Sequence, residues 1–243
     1  MALPGGVAGP ETWGMSERLG LRRFPVATAA VFGVTALSNV LQVLVHGTLA
    51  RLERTPAGLH GDWWRSVTSL FVQDGGVAGT LSNLAFLVAA GAIAEQVTSR
   101  RRWLLCYFGA GLAGELAGYA WQPYGGGNSV AICGLAGVVA VAAWRGDERL
   151  TGFAPAVLLV WCGALLASLW YPLLALGVAA GVLTKARGGV PAGRWAALGA
   201  LLTGAVMTAV EDIHGVALLA GLALAVLFAV TVRRRASVEA VSR

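Results

Sequence analysis

The chain has 243 residues, of which 57% are hydrophobic and only 12% are charged, and its formal net charge is +6. Ordinary soluble domains carry roughly 25% charged residues, so the composition excludes a water-soluble globular protein. The surplus of basic residues follows from membrane topology, and a nucleic-acid partner is not expected.

Apolar segments recur along the chain in lengths that match a bilayer, where a spanning helix needs about 20 apolar residues. Five of them carry almost no charge: 24–46, 77–95, 103–121, 129–144 and 212–232. The first follows a polar lead of 23 residues and is longer than a signal-peptide core, so we expect a span and not a cleaved leader.

A further apolar region, 153–211, has two interruptions. Trp170-Tyr171-Pro172 forms the first, and the basic stretch KARGGVPAGR at 185–194 is predicted as a cytoplasmic loop. The shorter spans predicted here are 153–169, 172–185 and 194–211. The sequence thus predicts an all-α, polytopic membrane helical bundle of eight spans, or of six if the piece 153–185 does not cross twice.

The distribution of Lys and Arg predicts the orientation, because these residues collect in cytoplasmic loops. With a cytoplasmic amino terminus, eight spans place fifteen of the eighteen basic residues inside and leave Arg51, Arg54 and Arg65 outside. The chain then divides into a cytoplasmic lead (1–23), a transmembrane domain (24–232) and a basic cytoplasmic tail (233–243). We expect an integral protein of a bacterial cytoplasmic membrane.

Three polar residues lie inside predicted spans at a similar depth below the outer surface. Ser129 begins the fourth span, His214 lies at the outer end of the last span, and Asn83 lies about six residues into the second. Each has a structural explanation: a helix cap for Ser129, a carbonyl partner for His214, and an interhelical hydrogen bond for Asn83. Their common depth favours a shared site.

These residue types fit acyl transfer. A serine hydroxyl becomes a nucleophile when a base takes its proton, histidine is the usual base near neutral pH, and a fixed donor must meet the oxyanion. Ser129, His214 and Asn83 would fill those roles. Asp212 is two residues from His214, which on a helix directs it to the opposite side, so we predict a Ser-His dyad.

The motifs around these residues resemble those of the rhomboid family of intramembrane serine proteases. The resemblance extends from about Trp64 to Gly221 and rests on four stretches: WRSVTSLF (64–71), LSNLAFLVAAGAIAE (81–95), GNSVAICG (127–134) and HGVALLAG (214–221). It implies a rhomboid-like core of six helices, with the two extra spans as an inserted helical hairpin between Ser129 and His214.

The resemblance also implies a role for each site residue. Ser129 would be the nucleophile and His214 the base, while Asn83 and the backbone N–H of Ser129 would form the oxyanion hole. The partners would be a transmembrane protein substrate and the lipid bilayer. No cofactor or metal is expected, since the three cysteines lack metal-ligand spacing and are explained as small apolar packing residues.

The chain departs from the family pattern at four positions: Val130 replaces the glycine after the serine, Gly79 a second oxyanion-lining histidine, Cys133 an aromatic residue, and Ala217 a glycine of the histidine motif. Val130 stands where it would crowd the substrate carbonyl or the N–H that meets the oxyanion.

Glycines surround the predicted nucleophile. Those at 125–127 allow the loop to bend sharply into the membrane, with Gly127 closest to Ser129. Gly134 and Gly221 are expected to let the fourth and last spans approach closely.

Two other function classes stay open. A rhomboid-like protein without activity would bind or escort membrane clients; the presence of Ser129 and His214 opposes this alternative, and Val130 and Gly79 favour it. A transporter is disfavoured by the expectation that no carboxylate lies in the membrane core to couple ions.

Overall fold

The computed structural model describes residues 21–241, with side chains up to residue 231. The predicted lead (1–23) lies almost entirely outside this part of the chain. Within it, the all-helical prediction is confirmed: the only β pairing is an isolated bridge between Arg54 and Gly125. The long helices are α1 (Val26–Leu44), α2 (Gly76–Val97), α3 (Arg100–Trp121), α4 (Ser129–Trp144), α5 (Ala154–Leu166), α6 (Pro172–Arg187), α7 (Gly189–Ala209) and α8 (Ile213–Val241).

Four of these helices are long and apolar enough to cross a membrane: α1, α2, α7 and the part of α8 from Ile213 to Thr231. The helices α4 and α5 are apolar but shorter, and α3 begins with three arginines and contains Glu115. The backbone of α8 continues as one helix to Val241, through most of the segment predicted as a separate tail.

The stretch at 185–194 is not the loop that the sequence predicted. Since α6 extends to Arg187 and α7 begins at Gly189, only Gly188 separates them. Gly188 and Gly189 have φ values of 63° and 75°, which glycine adopts without a side-chain clash. Pro191 lies in the first turn of α7, where its missing N–H costs no helical hydrogen bond.

The helix α4 lies at the centre of the bundle, with thirteen of its sixteen residues buried. It contacts α2, α3, α7 and α8. A side chain at Gly134 would overlap the carbonyl oxygen of Cys106 on α3, and a Cβ atom at Gly221 would lie 2.6 Å from the Cα atom of Gly134. The absence of side chains at these two positions therefore allows α3 and α8 to approach α4.

The helices α5 and α6 form a hairpin whose tip carries the exposed Trp170 and Tyr171. Gly163 and Gly177 face each other, and a Cβ atom on either would lie 2.7 Å from the Cα atom of the other. Through α5 the hairpin packs against α7 and α4, whereas only Gly177 and Gly181 of α6 are buried.

The first turn of α1 is attached to the end of α2 by a buried carboxylate. Glu95 accepts hydrogen bonds from the backbone N–H groups of Ala27 and Thr28, both at 3.0 Å. These donors have no partner within their own helix, and a negative charge is favourable at a helix amino terminus. Glu95 therefore caps α1 from the neighbouring helix.

Candidate active site

The loop before Ser129 is held by the connection between α1 and α2, residues 45–75. Its three glycines each hydrogen-bond to that connection: Gly125 with Arg54, Gly126 with Asp74 and Gly127 with Ser69. Of the three, Gly125 alone has a positive φ, of 151°. The glycines therefore allow the loop to turn at Gly125, and they also allow its backbone to approach the connection closely.

Ser129 is the first residue of α4, and Asn128 occupies the N-cap position. The Ser129 hydroxyl lies 2.9 Å from Nε2 of His214, the second residue of α8, which is a hydrogen-bonding distance. The fold thus brings together two side chains that are 85 positions apart in the chain.

The prediction that Asp212 points away from His214 is wrong. Asp212 precedes the first residue of α8, so the helical spacing behind that prediction does not apply. Its Oδ1 accepts a hydrogen bond from the backbone N–H of His214 (2.9 Å) and lies 2.7 Å from Nδ1 of the same residue. Since a carboxylate can only accept, Nδ1 carries the proton and Nε2 faces Ser129 as an acceptor. The arrangement is a Ser-His-Asp chain and not an isolated pair.

The turn before Asp212 holds Glu211 in the left-handed conformation, with φ of 61°. The N–H groups of Glu211 and Asp212 donate to the carbonyls of Thr208 (3.1 Å) and Met207 (2.9 Å). This is the Schellman pattern at a helix end, where glycine usually occupies the left-handed position. Glu211 therefore bears the steric cost of a side chain in that conformation.

Asn83 lies near Ser129 and takes part in a chain of amides. Its Nδ2 donates to Oε1 of Gln73 (2.8 Å), and Nε2 of Gln73 donates to Oδ1 of Asn128 (2.5 Å). A Cβ atom on Gly127 would lie 3.2 Å from Ser129 Oγ, 3.3 Å from Gln73 Oε1 and 3.9 Å from Asn83 Nδ2. These polar atoms therefore surround one small space beside the hydroxyl. Sequence reasoning missed Gln73, which no motif marks.

A buried ion pair between Arg54 and Glu115 was also missed. Nη1 of Arg54 lies 2.5 Å from Oε2 of Glu115, and both side chains are at most 2% exposed. Nε and Nη2 of the same guanidinium donate to the carbonyl of Gln122, at 3.0 and 2.7 Å. The expectation of no carboxylate in the membrane core is wrong, since Glu115 lies within the predicted span 103–121. A carboxylate inside an apolar span was the signal that the sequence offered for this ion pair. In the structure, the positive charge of Arg54 neutralises the carboxylate.

Ser129 and His214 line a cavity of about 100 Å³ together with Arg54, Asp74 and Glu115. A cavity of this volume has room for several water molecules, and its polar lining offers them hydrogen-bond partners. The space beside Ser129 is therefore polar although the surrounding helices are apolar. Among the described residues, no three His, Cys, Asp or Glu side chains lie close enough together to hold a metal ion.

The structure shows what surrounds two of the positions, Val130 and Gly79, at which the chain departs from the family pattern. The Val130 side chain is 2% exposed, and a Cβ atom on Gly114 of α3 would overlap it. Val130 thus fills space left by Gly114, while also contributing to the cavity wall. At Gly79, by contrast, an added Cβ atom would meet no atom within 4 Å.

The sequence model of the Rhomboid domain family matches residues 60–212, more than half of the chain. The chain is also similar to the rhomboid protease GluP of Bacillus subtilis (strain 168), with 34% identity over 80 residues, and to YdcA of the same strain, with 32% identity over 82 residues. Each match covers 32% of this chain but only 16% of GluP and 41% of YdcA. The chain thus aligns with less than half the length of either relative. No solved structure matches it.

Proposed function

The chain belongs to the rhomboid family, and on that premise we propose that it is a serine endopeptidase that cleaves transmembrane proteins within the bilayer. The protein is an integral membrane protein. The observation that carries the proposal is the 2.9 Å hydrogen bond between the Ser129 hydroxyl and His214. The contact of Asp212 with the other ring nitrogen supports it, because a fixed tautomer leaves Nε2 able to take a proton.

In the acylation step, His214 Nε2 takes the hydroxyl proton while Ser129 Oγ forms a bond to the carbonyl carbon of the substrate. The carbonyl oxygen becomes an oxyanion, and the donors proposed for it are the Asn83 amide and the backbone N–H of Ser129. When the peptide C–N bond breaks, the leaving amine receives the proton from His214. The amino-side fragment of the substrate remains as an ester on Ser129.

In the deacylation step, water from the polar cavity attacks the ester and gives a proton to His214. The C–O bond to Ser129 breaks, the hydroxyl regains a proton, and a carboxylic acid is released. Because a helical substrate hides its carbonyls in hydrogen bonds, we expect local unwinding near its outer end. Small or helix-breaking residues near the cleaved bond are therefore favoured.

Labelling of the purified protein by a fluorophosphonate probe tests the proposal most directly. The wild type should be labelled and should cleave a transmembrane substrate. Ser129→Ala and His214→Ala should each lose both properties while keeping the melting temperature of the wild type in detergent.

An unlabelled wild type that leaves several transmembrane substrates intact would contradict the proposal and favour a rhomboid-like protein without activity. In that event, restored labelling in Val130→Gly would identify Val130 as the cause. The melting temperature must be measured in parallel, because this change also empties the space beside Gly114.

We further propose eight crossings with a cytoplasmic amino terminus, in a bacterial cytoplasmic membrane. The support is the fifteen-to-three division of basic residues. A membrane-impermeant thiol reagent should label Trp63→Cys in intact cells, and Arg187→Cys only after permeabilisation; both positions are exposed. External labelling of Arg187→Cys would overturn the eight-span arrangement.

A further inference from the structure

The amide proposed to meet the oxyanion is held in place by one other side chain. We propose that Gln73 is a positioning residue that orients the Asn83 amide towards Ser129, an inference that rests on the proposed protease function. Gln73 touches neither the hydroxyl nor the histidine through any hydrogen bond among the described residues. Its effect on the reaction therefore passes through Asn83.

Gln73 is itself firmly anchored. Its side chain is only 2% exposed. On its backbone, the N–H donates to Oε1 of Gln42 (2.9 Å) and the carbonyl accepts from Nε2 of Gln42 (2.6 Å). The partner of its own Nε2 is Asn128, the residue directly before Ser129. A single glutamine thus connects α2 with the first turn of α4 and sets the separation between the Asn83 amide and the nucleophile.

The direction of the hydrogen bonds determines which end of the Asn83 amide is available. A side-chain amide has a donor end with two N–H groups and an acceptor end. The Oε1 of Gln73 occupies one N–H of Asn83, so the second N–H remains to be donated. If the amide turned over, its carbonyl oxygen would face the developing negative charge and repel it.

The absence of a side chain at Gly127 keeps the space beside Ser129, Gln73 and Asn83 open. The point where a Gly127 Cβ atom would lie has Ser129 Oγ at 3.2 Å, Gln73 Oε1 at 3.3 Å and Asn83 Nδ2 at 3.9 Å. Oxyanion donors act at about 2.7–3.1 Å from the charged oxygen. Because residue 127 has no side chain, Ser129 Oγ and Asn83 Nδ2 are not covered on this side, and a substrate carbonyl can approach a donor whose orientation is already set.

A double-mutant cycle on the full-length protein tests this inference. Gln73→Met keeps the approximate size of the side chain and removes its hydrogen bonds, and should lower kcat about tenfold with little change in KM, a fraction of the loss for a whole oxyanion donor. In an Asn83→Ala background, the same change should have no further effect on kcat. Gln96→Met is the matched control, since Gln96 is also buried but bonds to the backbone of Arg22 and Arg23, and should leave kcat unchanged.

Equal losses from Gln73→Met in both backgrounds, or a loss confined to KM, would overturn the positioning role. An inactive and unlabelled wild type would instead contradict the protease function, so the two failures are distinguishable. If Gln73→Met does not fold, Gln42→Met replaces it in the cycle. Gln42 is half-exposed and holds only the backbone of residue 73, and its smaller loss of kcat should likewise vanish in Asn83→Ala.

Discussion

The amino-terminal end of α4 and the hairpin of α5 and α6 both depend on glycines, but for different purposes. Near Ser129, Gly118 and Gly127 make room for polar groups: a Cβ atom on Gly118 would lie 2.5 Å from the guanidinium carbon of Arg54, and one on Gly127 would lie 3.2 Å from Ser129 Oγ. In the hairpin, Gly163 and Gly177 make room for backbone atoms: those of each other and the carbonyl oxygens of Leu173 and Leu159. The buried residues of α5 are apolar: Ala154, Leu158, Trp161, Cys162, Gly163 and Leu165.

This difference separates two kinds of stabilisation in one bundle. Hydrogen bonds and an ion pair hold the amino-terminal end of α4. A buried polar group that loses its partner there destabilises the protein by about 1–3 kcal/mol. Close packing holds the hairpin, with one cation–π contact between Lys185 and the ring of Phe153 (3.9 Å). Substitutions at the packed positions should therefore affect stability and leave the reaction unchanged. The contrast is sharpest when catalytic constants and melting temperatures are measured on the same variants.

After the complete loss expected for Ser129→Ala and His214→Ala, the largest effect is expected from Asn83→Ala. Loss of one oxyanion donor typically lowers kcat by about 10²–10³-fold, which corresponds to about 2.7–4 kcal/mol of transition-state stabilisation. Steady-state kinetics on a transmembrane substrate should show this loss in kcat with KM nearly unchanged. A change confined to KM would assign Asn83 to substrate binding or to packing, and the amino-terminal end of α4 would then resemble the hairpin more closely.

A weaker effect, of a different kind, is expected from Gly163→Ala. The new Cβ atom would lie 2.7 Å from the Cα atom of Gly177, so α5 and α6 must separate, at a cost of about 1–3 kcal/mol. The melting temperature in detergent should fall while kcat of the folded protein stays constant. Gly33→Ala on α1 is the matched control, because its Cβ atom would meet nothing within 4 Å. A loss of kcat without a loss of stability would show that the hairpin acts on the reaction.

Asp212→Asn should lower kcat about tenfold, or about 1.4 kcal/mol. An asparagine can donate to Nδ1 of His214 and so favour the tautomer in which Nε2 carries the proton and cannot take one from Ser129. The loss is limited because the Asp212 side chain is 17% exposed and water can replace it. Serine-probe labelling rates provide a second measurement, and unchanged rates would mean that Ser129 and His214 work as the dyad predicted from the sequence.

Asp212 also shows where sequence reasoning fails. The prediction applies helical geometry to the spacing of two residues between Asp212 and His214. Because α8 begins at Ile213, Asp212 lies outside the helix, and its side chain does not follow the helical direction. In the same way, the glycines and proline at 185–194 predict a loop. In the structure, the positive φ angles of Gly188 and Gly189 turn the chain so sharply that only Gly188 lies outside the two helices.

Other features were predictable because a single strong pattern determines them. The bounds of α4 agree with the predicted 129–144, since a glycine-rich loop precedes its apolar run and Arg145 follows it. The proximity of Ser129 and His214 was expected from their common depth. Gln73 and Arg54 had no such pattern: their contacts depend on how the connection at 45–75 folds over the end of the bundle, and spacing along the chain carries no information about that.

The smallest effect is expected from a substitution at the turn before Asp212. This turn can be compared with the turn between α6 and α7. Between α6 and α7 the positive φ angles belong to glycines, whereas between α7 and α8 Glu211 has a φ of 61°. Glu211→Gly removes the clash of a side chain in that conformation and should raise the free energy of unfolding by up to about 1 kcal/mol.

Glu211→Ala is the matched control, because it removes the same charge but keeps a Cβ atom, and should not raise the melting temperature. Equal stabilisation by both variants would assign the effect to the charge. A lower kcat in Glu211→Gly alone would mean that the constrained backbone at Glu211 is needed to hold Asp212 against His214.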